Sequence, residues 1–178
     1  MKTHIPKIYC FIDELNENHI NKLKSGIGII YRNYDKKISI KRLIAFKKIC
    51  KKKKYSFYLA NNLKIAIRIG LDGAYIPAFN QKLNTITNKP KKFIVIGSAH
   101  NIQEIKIKEK QKVDCIFISP LFITSKKNKF LGISRFKKLS IETKKKVVAL
   151  GGLKKNNLGK IRILNIHGYA SISLFKKN

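Results

Sequence analysis

Short runs of apolar and β-branched residues recur along the chain and predict eight β-strands. The runs are apolar throughout rather than alternating with polar residues, as expected for strands that are covered on both faces. Their first residues lie roughly 17 to 32 positions apart, which is the spacing of βα units. The predicted strands are Ile8–Ile12, Ile27–Tyr31, Ser56–Leu59, Gly73–Ile76, Phe93–Ile96, Cys115–Ile118, Val147–Leu150 and Gly168–Ile172.

Helical patterns of apolar residues lie between several of these runs and predict four helices. The short polar segment from Asn80 to Pro90 is predicted to be a loop or one weak turn. The residues that mark the helices are Ile40, Leu43, Ile44 and Cys50 for the first, an Asn101–Glu104 capping box ahead of Ile105 for the second, Phe136 and Leu139 for the third, and Leu158, Ile161 and Leu164 for the fourth.

Strands separated by helices predict a closed (β/α)8 barrel that forms a single domain over residues 1–178. The chain is shorter than the ~200 residues usual for this fold, and it stops at Asn178, directly after the eighth predicted strand. We therefore expect a compact barrel that lacks the last helix, with neighbouring elements or a second subunit covering that wall. An open flavodoxin-like sheet is the structural alternative.

The composition favours a folded protein outside the membrane. Hydrophobic residues make up 44% of the chain, which argues against disorder, and no apolar run approaches the roughly 18 residues of a membrane span. The N-terminal segment has neither the hydrophobic region nor the cleavage site of a signal peptide. Three cysteines, Cys10, Cys50 and Cys115, lie among apolar residues without CxxC spacing and predict buried free thiols. A reduced, cytoplasmic location fits these features.

The charge is strongly positive, because 40 Lys and Arg residues against 9 Asp and Glu give a formal net charge of +31. This charge predicts non-specific attraction to polyanions, and a polyanion-binding module is one interpretation. Such a module would present a lysine-dense face with exposed aromatic residues such as Tyr31 or Phe130. However, few of the basic residues are arginine, which base readout and phosphate forks favour. The lysines are also spread over nearly every predicted helix and loop, so compositional drift is the alternative explanation.

Hydroxyl, glycine and cationic residues follow several predicted strands and indicate phosphate binding. Gly97 and Ser98 follow the fifth strand and precede a helix, whose N-terminal N–H groups favour anions. The segment Thr124–Lys127 follows the sixth strand, and its hydroxyls and ammonium groups suit a phosphoryl group. Gly151-Gly152 follow the seventh strand and Ser173 ends the eighth, where barrels often bind phosphate. A plain turn or solvated loop is the alternative at each position, but together they predict one anion site.

Other polar residues give weaker signals. Arg32 ends the second strand at the same rim and suits a diphosphate, with a salt bridge to Asp35 as the alternative. His100 is interpreted as a helix-start histidine with a satisfied hydrogen bond. Asp72 and Asp114 precede strands four and six, at the opposite end of the barrel from a magnesium site. No Ser-His-Asp or Cys-His set stands out.

The order of these motifs resembles the thiamine-phosphate synthase and thiazole tautomerase (TMP-TENI) family. The similarity runs from about Ile8 to Phe175 and is densest in the pieces LANNLKIAIRIGLDGAYIP, IGSAHNIQEI, VDCIFISPLFITSKK, FLGISRF, VVALGGL and GYASISLF. The resemblance implies a (β/α)8 barrel, a homodimer, and a phosphorylated small-molecule ligand bearing a thiazole phosphate. For the synthase it also implies hydroxymethylpyrimidine diphosphate and Mg²⁺.

The resemblance further implies roles for residues of this chain. The candidate catalytic residues, matched to groups near the diphosphate, are Arg32, Ser98 and Lys127. The candidate substrate-binding residues, matched to the cradle of the thiazole phosphate, are Thr124, Gly152 and Ser173, with Gly151 beside them.

Several positions depart from the family pattern. Tyr34 stands where the family has a lysine, and Ala60 and Asn61 stand in place of an Asn-Asp pair. The second magnesium aspartate falls near Phe79. Two carboxylates that would hold Mg²⁺ are thus missing, no residue is assigned as a metal ligand, and the pyrophosphate leaving group loses its main charge neutralisation. Ser119-Pro120 replaces the tautomerase histidine, and this pair is synthase-like.

Three hypotheses follow from these observations. The first is a synthase that joins hydroxymethylpyrimidine diphosphate and thiazole phosphate to give thiamine phosphate and pyrophosphate. The second is a non-catalytic barrel of the same family that binds a phosphorylated ligand, which the missing carboxylates favour. The third is the polyanion-binding module. The sequence leaves open whether the chain is an active enzyme.

Overall fold

The computed structural model describes residues 4–34, 39–83, 89–124 and 129–175. Eight parallel strands close into a barrel in which each strand pairs with its neighbours in sequence order and the eighth pairs with the first. This arrangement confirms the predicted (β/α)8 barrel and excludes the open sheet. The strands are β1 Ile8–Ile12, β2 Gly28–Tyr31, β3 Ser56–Ala60, β4 Gly73–Ile76, β5 Ile94–Ala99, β6 Cys115–Ile118, β7 Lys146–Leu150 and β8 Gly168–Ser171.

Several predicted strand ends were wrong, and the corrections to β5 and β8 bear on the candidate site. β5 runs on to Ala99 because its last three residues continue the ladder with β6. Gly97 and Ser98 therefore lie in the strand rather than in a loop after it. β8 is one residue shorter than predicted, so Ser173 does not end the strand but begins a single 3-10 turn, Ser173–Phe175.

The described residues contain five α-helices: α1 Glu17–Ile20, α2 Ile40–Lys52, α3 Leu63–Arg68, α4 Ile102–Lys110 and α5 Gly132–Ser140. The sequence did not predict α1 or α3. The helix predicted around Leu158 is instead a 3-10 helix, Lys155–Ile163, which contains Asn156, Asn157 and Gly159, all poor α-helix formers. After β8, the described residues form the 3-10 turn Ser173–Phe175.

The start of α4 shows half of the predicted capping box. The Asn101 side chain accepts a hydrogen bond from the Glu104 N–H at 2.9 Å, as predicted. The Glu104 carboxylate, however, accepts from the N–H of His100 at 2.7 Å rather than from that of Asn101. It also lies 2.9 Å from His100 Nδ1, which confirms that His100 is a helix-start histidine with a hydrogen-bond partner.

The core has two parts, one on each side of the barrel wall. Inside the barrel, aromatic side chains pack against one another with ring centroids 4.9 to 6.3 Å apart: Tyr9, Phe11, Tyr58, Tyr75 and Phe117. Outside it, the buried faces of α2, α4 and α5 pack against the strands. Because the interior is filled, a ligand has room only at the mouth of the barrel.

Two aspartates close the amino end of the barrel, as predicted. Asp72 Oδ2 accepts a hydrogen bond from the N–H of Phe57 at 2.8 Å. Asp114 Oδ2 accepts one from the N–H of Val95 at 2.7 Å and pairs with Lys89. Both carboxylates therefore join neighbouring strands at the end opposite the candidate site.

The structure also bears on the predictions about thiols and membrane spans. All three cysteines are buried and free, and burial raises the pKa of each thiol. The thiols therefore stay protonated, as inert core residues do. None of the helices in the described part of the chain is long and apolar enough to cross a bilayer.

Candidate functional site

Arg32 and Ser98 lie around one tyrosine at the carboxyl-end mouth of the barrel. Arg32 directly follows β2, and its guanidinium lies over the Phe11 ring, 5.2 Å from the ring centroid. Ser98 is on the interior face of β5, where alternate residues point into the barrel. Its hydroxyl lies near enough to the Tyr75 phenol to influence the pKa of that phenol. The structure therefore brings together two of the three predicted catalytic residues.

The electrostatics of this group suit an anion. Burial raises the pKa of the Tyr75 phenol, while the nearby Ser98 hydroxyl and the charge of Arg32 oppose that rise. The phenol therefore stays neutral at physiological pH, and Arg32 supplies the positive charge. One guanidinium beside two hydroxyls provides hydrogen-bond donors for phosphate oxygens.

The loops after β6 and β7 meet at a pair of glycines. The N–H of Phe122 donates to the Gly151 carbonyl at 3.1 Å. Gly151 and Gly152 have φ angles of +94° and +68°, which glycine adopts without steric cost. A Cβ on Gly152 would lie 2.4 Å from the carbonyl oxygen of Ile123. The two loops therefore approach so closely that a side chain at this position is excluded.

The glycine loop is held in place and keeps donors available. Asn157 Nδ2 donates to the Gly152 carbonyl at 2.8 Å, and Asn157 Oδ1 accepts from the N–H of Lys154 at 2.8 Å. Within the described residues, the N–H groups of Gly151 and Gly152 make no hydrogen bond. Backbone N–H groups of this kind can bind phosphate oxygens.

Ser173 is tied to the same loop from the β8 side. Its hydroxyl donates to the Leu153 carbonyl at 3.2 Å, and the hydroxyl of Ser171 donates to the same oxygen at 3.3 Å. Ser171 Oγ also accepts from the N–H of Leu174 at 3.2 Å, which positions the turn that carries Ser173. A Ser173 hydroxyl in this orientation offers only lone pairs, so donation to a phosphate requires it to rotate.

Thr124 belongs to the same cluster of loops, because it follows Ile123, whose carbonyl meets Gly152. The predicted Lys127, with Ser125 and Lys126, lies outside the described residues. The four predicted substrate-binding residues thus occupy three adjacent loops at one end of the barrel. We call them the β6–β8 rim: Thr124, Gly151, Gly152 and Ser173.

The positions matched to magnesium carboxylates hold other groups. Ala60 ends β3 and is buried, and the Asn61 side-chain oxygen accepts from the Asn80 side-chain amide at 2.7 Å. The Phe79 ring meets the Tyr34 ring edge-on, with centroids 5.4 Å apart. Among the described residues there is no group of three or more His, Cys, Asp and Glu side chains that could hold a metal ion. The described residues therefore do not fit the Mg²⁺ site that the resemblance implies.

A cavity of about 290 Å³ opens between the carboxyl ends of β3 and β4. Carboxamides dominate its polar lining, which includes Asn61, Asn62, Lys64, Tyr75 and Asn80. Asn62 also caps α3, because its side-chain oxygen accepts from the N–H of Ile65 at 3.1 Å. This role was not predicted from the sequence, although an asparagine ahead of an apolar helical stripe is a known N-cap signal.

A buried lysine supports the loop after β4, and this role was not predicted from the sequence either. Lys108 on α4 is fully buried, and its Nζ donates to the carbonyls of Pro77 at 2.9 Å and Asn80 at 2.7 Å and to Gln111 Oε1 at 3.0 Å. The Gln111 amide donates to the same Asn80 carbonyl at 2.9 Å. Burial lowers the pKa of Lys108 to about 8. The only sequence signal for the role of Lys108 was its position on the buried face of α4.

A family model and the sequences of two relatives indicate the same family for this chain. The sequence model of thiamine monophosphate synthase (TMP-TENI) matches residues 10–175. The chain is 26% identical to putative thiamine-phosphate synthase 2 of Aquifex aeolicus, over 96% of this chain and 98% of that protein. It is 31% identical to the thiamine-phosphate synthase of Prochlorococcus marinus strain SARG, over 90% of this chain but only 48% of that protein. The chain therefore spans nearly all of the first relative and about half of the second.

A solved structure shows the same fold. The thiamine phosphate pyrophosphorylase from Pyrococcus furiosus superposes with a TM-score of 0.74, covering 94% of this chain and 85% of that protein. The two sequences are 18% identical, so this likeness supports the barrel architecture and nothing finer.

Proposed function

The chain belongs to the thiamine monophosphate synthase family, and from this premise we propose that it joins hydroxymethylpyrimidine diphosphate to thiazole phosphate. The products are thiamine phosphate and pyrophosphate. A thiamine-phosphate synthase-like role is shared with its relatives. The activity itself, the substrates and the roles of individual residues form our proposal.

The observation that carries the proposal is the convergence of anion-binding groups at one end of the barrel. The β6–β8 rim combines two hydroxyls with the Gly151 and Gly152 N–H groups, which make no hydrogen bond within the described residues. The mouth beside it holds Arg32 and Ser98. In our proposal the rim holds the thiazole phosphate. Arg32, Ser98 and Lys127 act on the diphosphate of the second substrate.

The chemistry assigned to these residues is a substitution at carbon. The bond between the exocyclic methylene carbon of the pyrimidine and its diphosphate oxygen breaks, and the electron pair leaves with pyrophosphate. The lone pair of the thiazole nitrogen forms the new carbon–nitrogen bond. Arg32 stabilises the charge that develops on the leaving group, while the rim fixes the thiazole by its phosphate so that the nitrogen faces the carbon.

Magnesium and the homodimer remain expectations from the family. Mg²⁺, where bound, would neutralise pyrophosphate charge. Of the described acids, Asp13 and Glu14 follow β1 at the mouth, but they are exposed and belong to no metal-binding cluster. We therefore assign no step to a metal.

A non-catalytic barrel that binds a phosphorylated ligand is the second candidate. The Asn61–Asn80 amide pair and the Tyr34–Phe79 ring pair favour it, because they stand where the carboxylates and a lysine are expected. The polyanion-binding module is less favoured. Its expected exposed aromatic Tyr31 is buried, although Phe130 is exposed.

Two measurements separate the candidates. Calorimetry with thiazole phosphate tests the rim, and an assay of thiamine phosphate formation with both substrates and Mg²⁺ tests the reaction. Binding with turnover supports the synthase, and binding without turnover supports the second candidate. Folded protein that shows neither contradicts both.

A further inference from the structure

We infer that the amino end of the barrel is a docking surface for the phosphate backbone of a nucleic-acid duplex. This end lies opposite the mouth that carries Arg32 and the β6–β8 rim, so the inference goes beyond the proposed function and does not depend on it. The surface also differs from a polyanion-binding module with exposed aromatic residues, because its contacts are made by lysines alone.

The fold gathers lysines that are scattered along the sequence. The strands of the closed barrel are parallel, so the segments that precede them meet at its amino end. Exposed lysines precede or begin β1, β2, β3, β5, β6 and β7. We call them the amino-end lysines: Lys7, Lys22, Lys24, Lys51, Lys52, Lys54, Lys91, Lys92, Lys110, Lys112, Lys144, Lys145 and Lys146.

Hydrogen bonds join neighbouring segments of this surface. The N–H of Gly26, ahead of β2, donates to the carbonyl of Lys54, ahead of β3, at 3.0 Å. The Lys106 ammonium on α4 donates to the carbonyl of Glu142, ahead of β7, at 2.9 Å. The amino-end lysines are therefore carried by connected segments around the barrel rather than by independent loops.

The amino-end lysines lack carboxylate partners. The acids near them are Asp72, Glu109, Asp114 and Glu142. Asp72 and Asp114 accept hydrogen bonds from the barrel backbone, and Glu109 pairs with Lys106. None of the amino-end lysines forms an ion pair among the described residues. Like charges held together in this way repel one another, and a bound polyanion relieves that repulsion.

The helix macrodipole explains only part of this pattern. Lys51, Lys52 and Lys110 lie in the last turns of α2 and α4, where the partial negative charge of a helix C-terminus favours cations. Lys54 and Lys112 lie beyond those helices with φ angles of +57° and +54°, a conformation that glycine adopts with less strain. The local backbone therefore does not account for lysine at these two positions.

The side chains at this end suit a duplex better than a single strand. Lysine contacts a phosphate as a point charge, without the planar fork of arginine that base readout favours. Single strands are bound largely by stacking of bases on aromatic rings. The exposed aromatic side chains of the described residues follow strands and so lie at the opposite end: Tyr34, Phe79 and Phe130.

A membrane surface fits less well. Binding at a lipid interface combines basic residues with apolar side chains that enter the bilayer. Among the described residues, the exposed large hydrophobic side chains near the amino end are Ile141 and Ile163, ahead of β7 and β8. The lysine-bearing segments ahead of β2, β3 and β5 contain none. The surface is thus charged rather than amphipathic, which favours a phosphate backbone.

The test is fluorescence anisotropy of a short labelled DNA duplex titrated with the purified chain at several salt concentrations. The amino-end variant combines Lys24→Gln, Lys52→Gln and Lys92→Gln, which are exposed positions ahead of three different strands. We expect it to bind the duplex at least roughly tenfold more weakly than wild type. The slope of log affinity against log salt should fall by roughly two to three, because fewer counterions are released.

The matched control is a mouth-side variant that loses the same charge. It combines Lys41→Gln, Lys129→Gln and Lys155→Gln, which are exposed positions after β2, β6 and β7. We expect its duplex affinity to change by less than about twofold, because salt screens charges that are distant from the bound backbone. Equal weakening of duplex binding in the two variants would show that net charge alone is responsible, and would overturn the inference.

Other outcomes are equally decisive. No duplex binding by wild type at low salt, tighter binding of a single strand of the same length, or tighter binding of phosphatidylserine vesicles than of the duplex would each overturn the inference. Two duplexes of unrelated sequence should bind alike, because the contacts are to the backbone. Circular dichroism confirms that both variants are folded.

The result is distinguishable from the outcome for the proposed function. Thiazole phosphate affinity, measured by calorimetry, should be the same in the amino-end variant and in wild type, because the β6–β8 rim is at the other end of the barrel. Weaker duplex binding with unchanged thiazole phosphate binding supports the inference, whether or not thiamine phosphate is formed. Loss of both would place the contact at the mouth and overturn it.

Discussion

Asn80 donates its side-chain amide to the side-chain oxygen of Asn61 at 2.7 Å, joining the loops that follow β4 and β3. An aspartate at position 61 could accept the same bond, but the asparagine keeps this part of the mouth uncharged. The pairing distinguishes the two sides of the barrel mouth. The β3–β4 side carries amides and exposed rings, whereas the β6–β8 rim carries hydroxyls and backbone N–H groups.

Replacing Gly152 with alanine tests the rim. The positive φ angle and the 2.4 Å approach of a Cβ to the Ile123 carbonyl should lower the free energy of unfolding by about 1–3 kcal/mol. The displaced backbone N–H should also weaken thiazole phosphate binding. Urea denaturation and calorimetry measure the two effects. Gly159→Ala is the control, since a Cβ there meets nothing within 4 Å; equal behaviour of the two variants would contradict the account.

Two neighbouring serines are expected to behave differently. Ser173→Ala should weaken thiazole phosphate binding by roughly three- to tenfold, because it removes one neutral hydrogen bond. Ser171→Ala should mainly lower stability, because the buried Ser171 hydroxyl both donates to Leu153 and accepts from Leu174. Calorimetry beside thermal denaturation separates the roles. Identical affinity of Ser173→Ala and wild type would remove Ser173 from the phosphate site.

Arg32→Lys tests the proposed contact with diphosphate. Lysine keeps the charge but loses the planar fork, so we expect affinity for hydroxymethylpyrimidine diphosphate to fall by roughly tenfold or more. Thiazole phosphate affinity should not change. Arg68→Lys, at an exposed position of α3, is the control. If diphosphate affinity is the same in Arg32→Lys and wild type, Arg32 does not bind this group.

The buried Lys108 predicts a pH dependence of stability. Burial lowers its pKa to about 8 from the ordinary 10.5, with the nearby Glu104 charge opposing the shift. Between these values the unfolded chain binds a proton that the folded chain has released. Raising the pH through this window therefore stabilises the folded state relative to Lys108→Met, by at most about 3 kcal/mol.

Urea midpoints of wild type and Lys108→Met between pH 7 and 10.5 measure this effect. Below pH 8 the difference in the free energy of unfolding should be constant, and above it the difference should shift in favour of wild type. A difference that stays flat or shifts toward Lys108→Met across the window would contradict the lowered pKa.

The sequence predicted the barrel because its strand signal is local. Apolar β-branched runs such as Cys115–Ile118 form strands at the residues expected, and their spacing implied parallel crossovers. The end of β5 was missed because Gly97 and Ser98 resemble turn residues, yet the neighbouring β6 supplies the ladder that keeps them extended.

The candidate site was only partly predictable, because some of its contacts join residues that are far apart in the sequence. The glycines of the β6–β8 rim could be predicted, since glycine after a strand signals close approach or positive φ. The Asn61–Asn80 bond joins residues on different loops, and the role of Lys108 depends on where the loop after β4 passes over α4. Contacts of this kind depend on tertiary placement, which no local pattern encodes.

The central claim is best tested by incubating the purified chain with hydroxymethylpyrimidine diphosphate, thiazole phosphate and Mg²⁺ and measuring thiamine phosphate by mass spectrometry. The account predicts thiamine phosphate and pyrophosphate in equal amounts, with formation reduced in Arg32→Lys and Gly152→Ala. Folded wild-type protein that binds thiazole phosphate but forms no thiamine phosphate would contradict it.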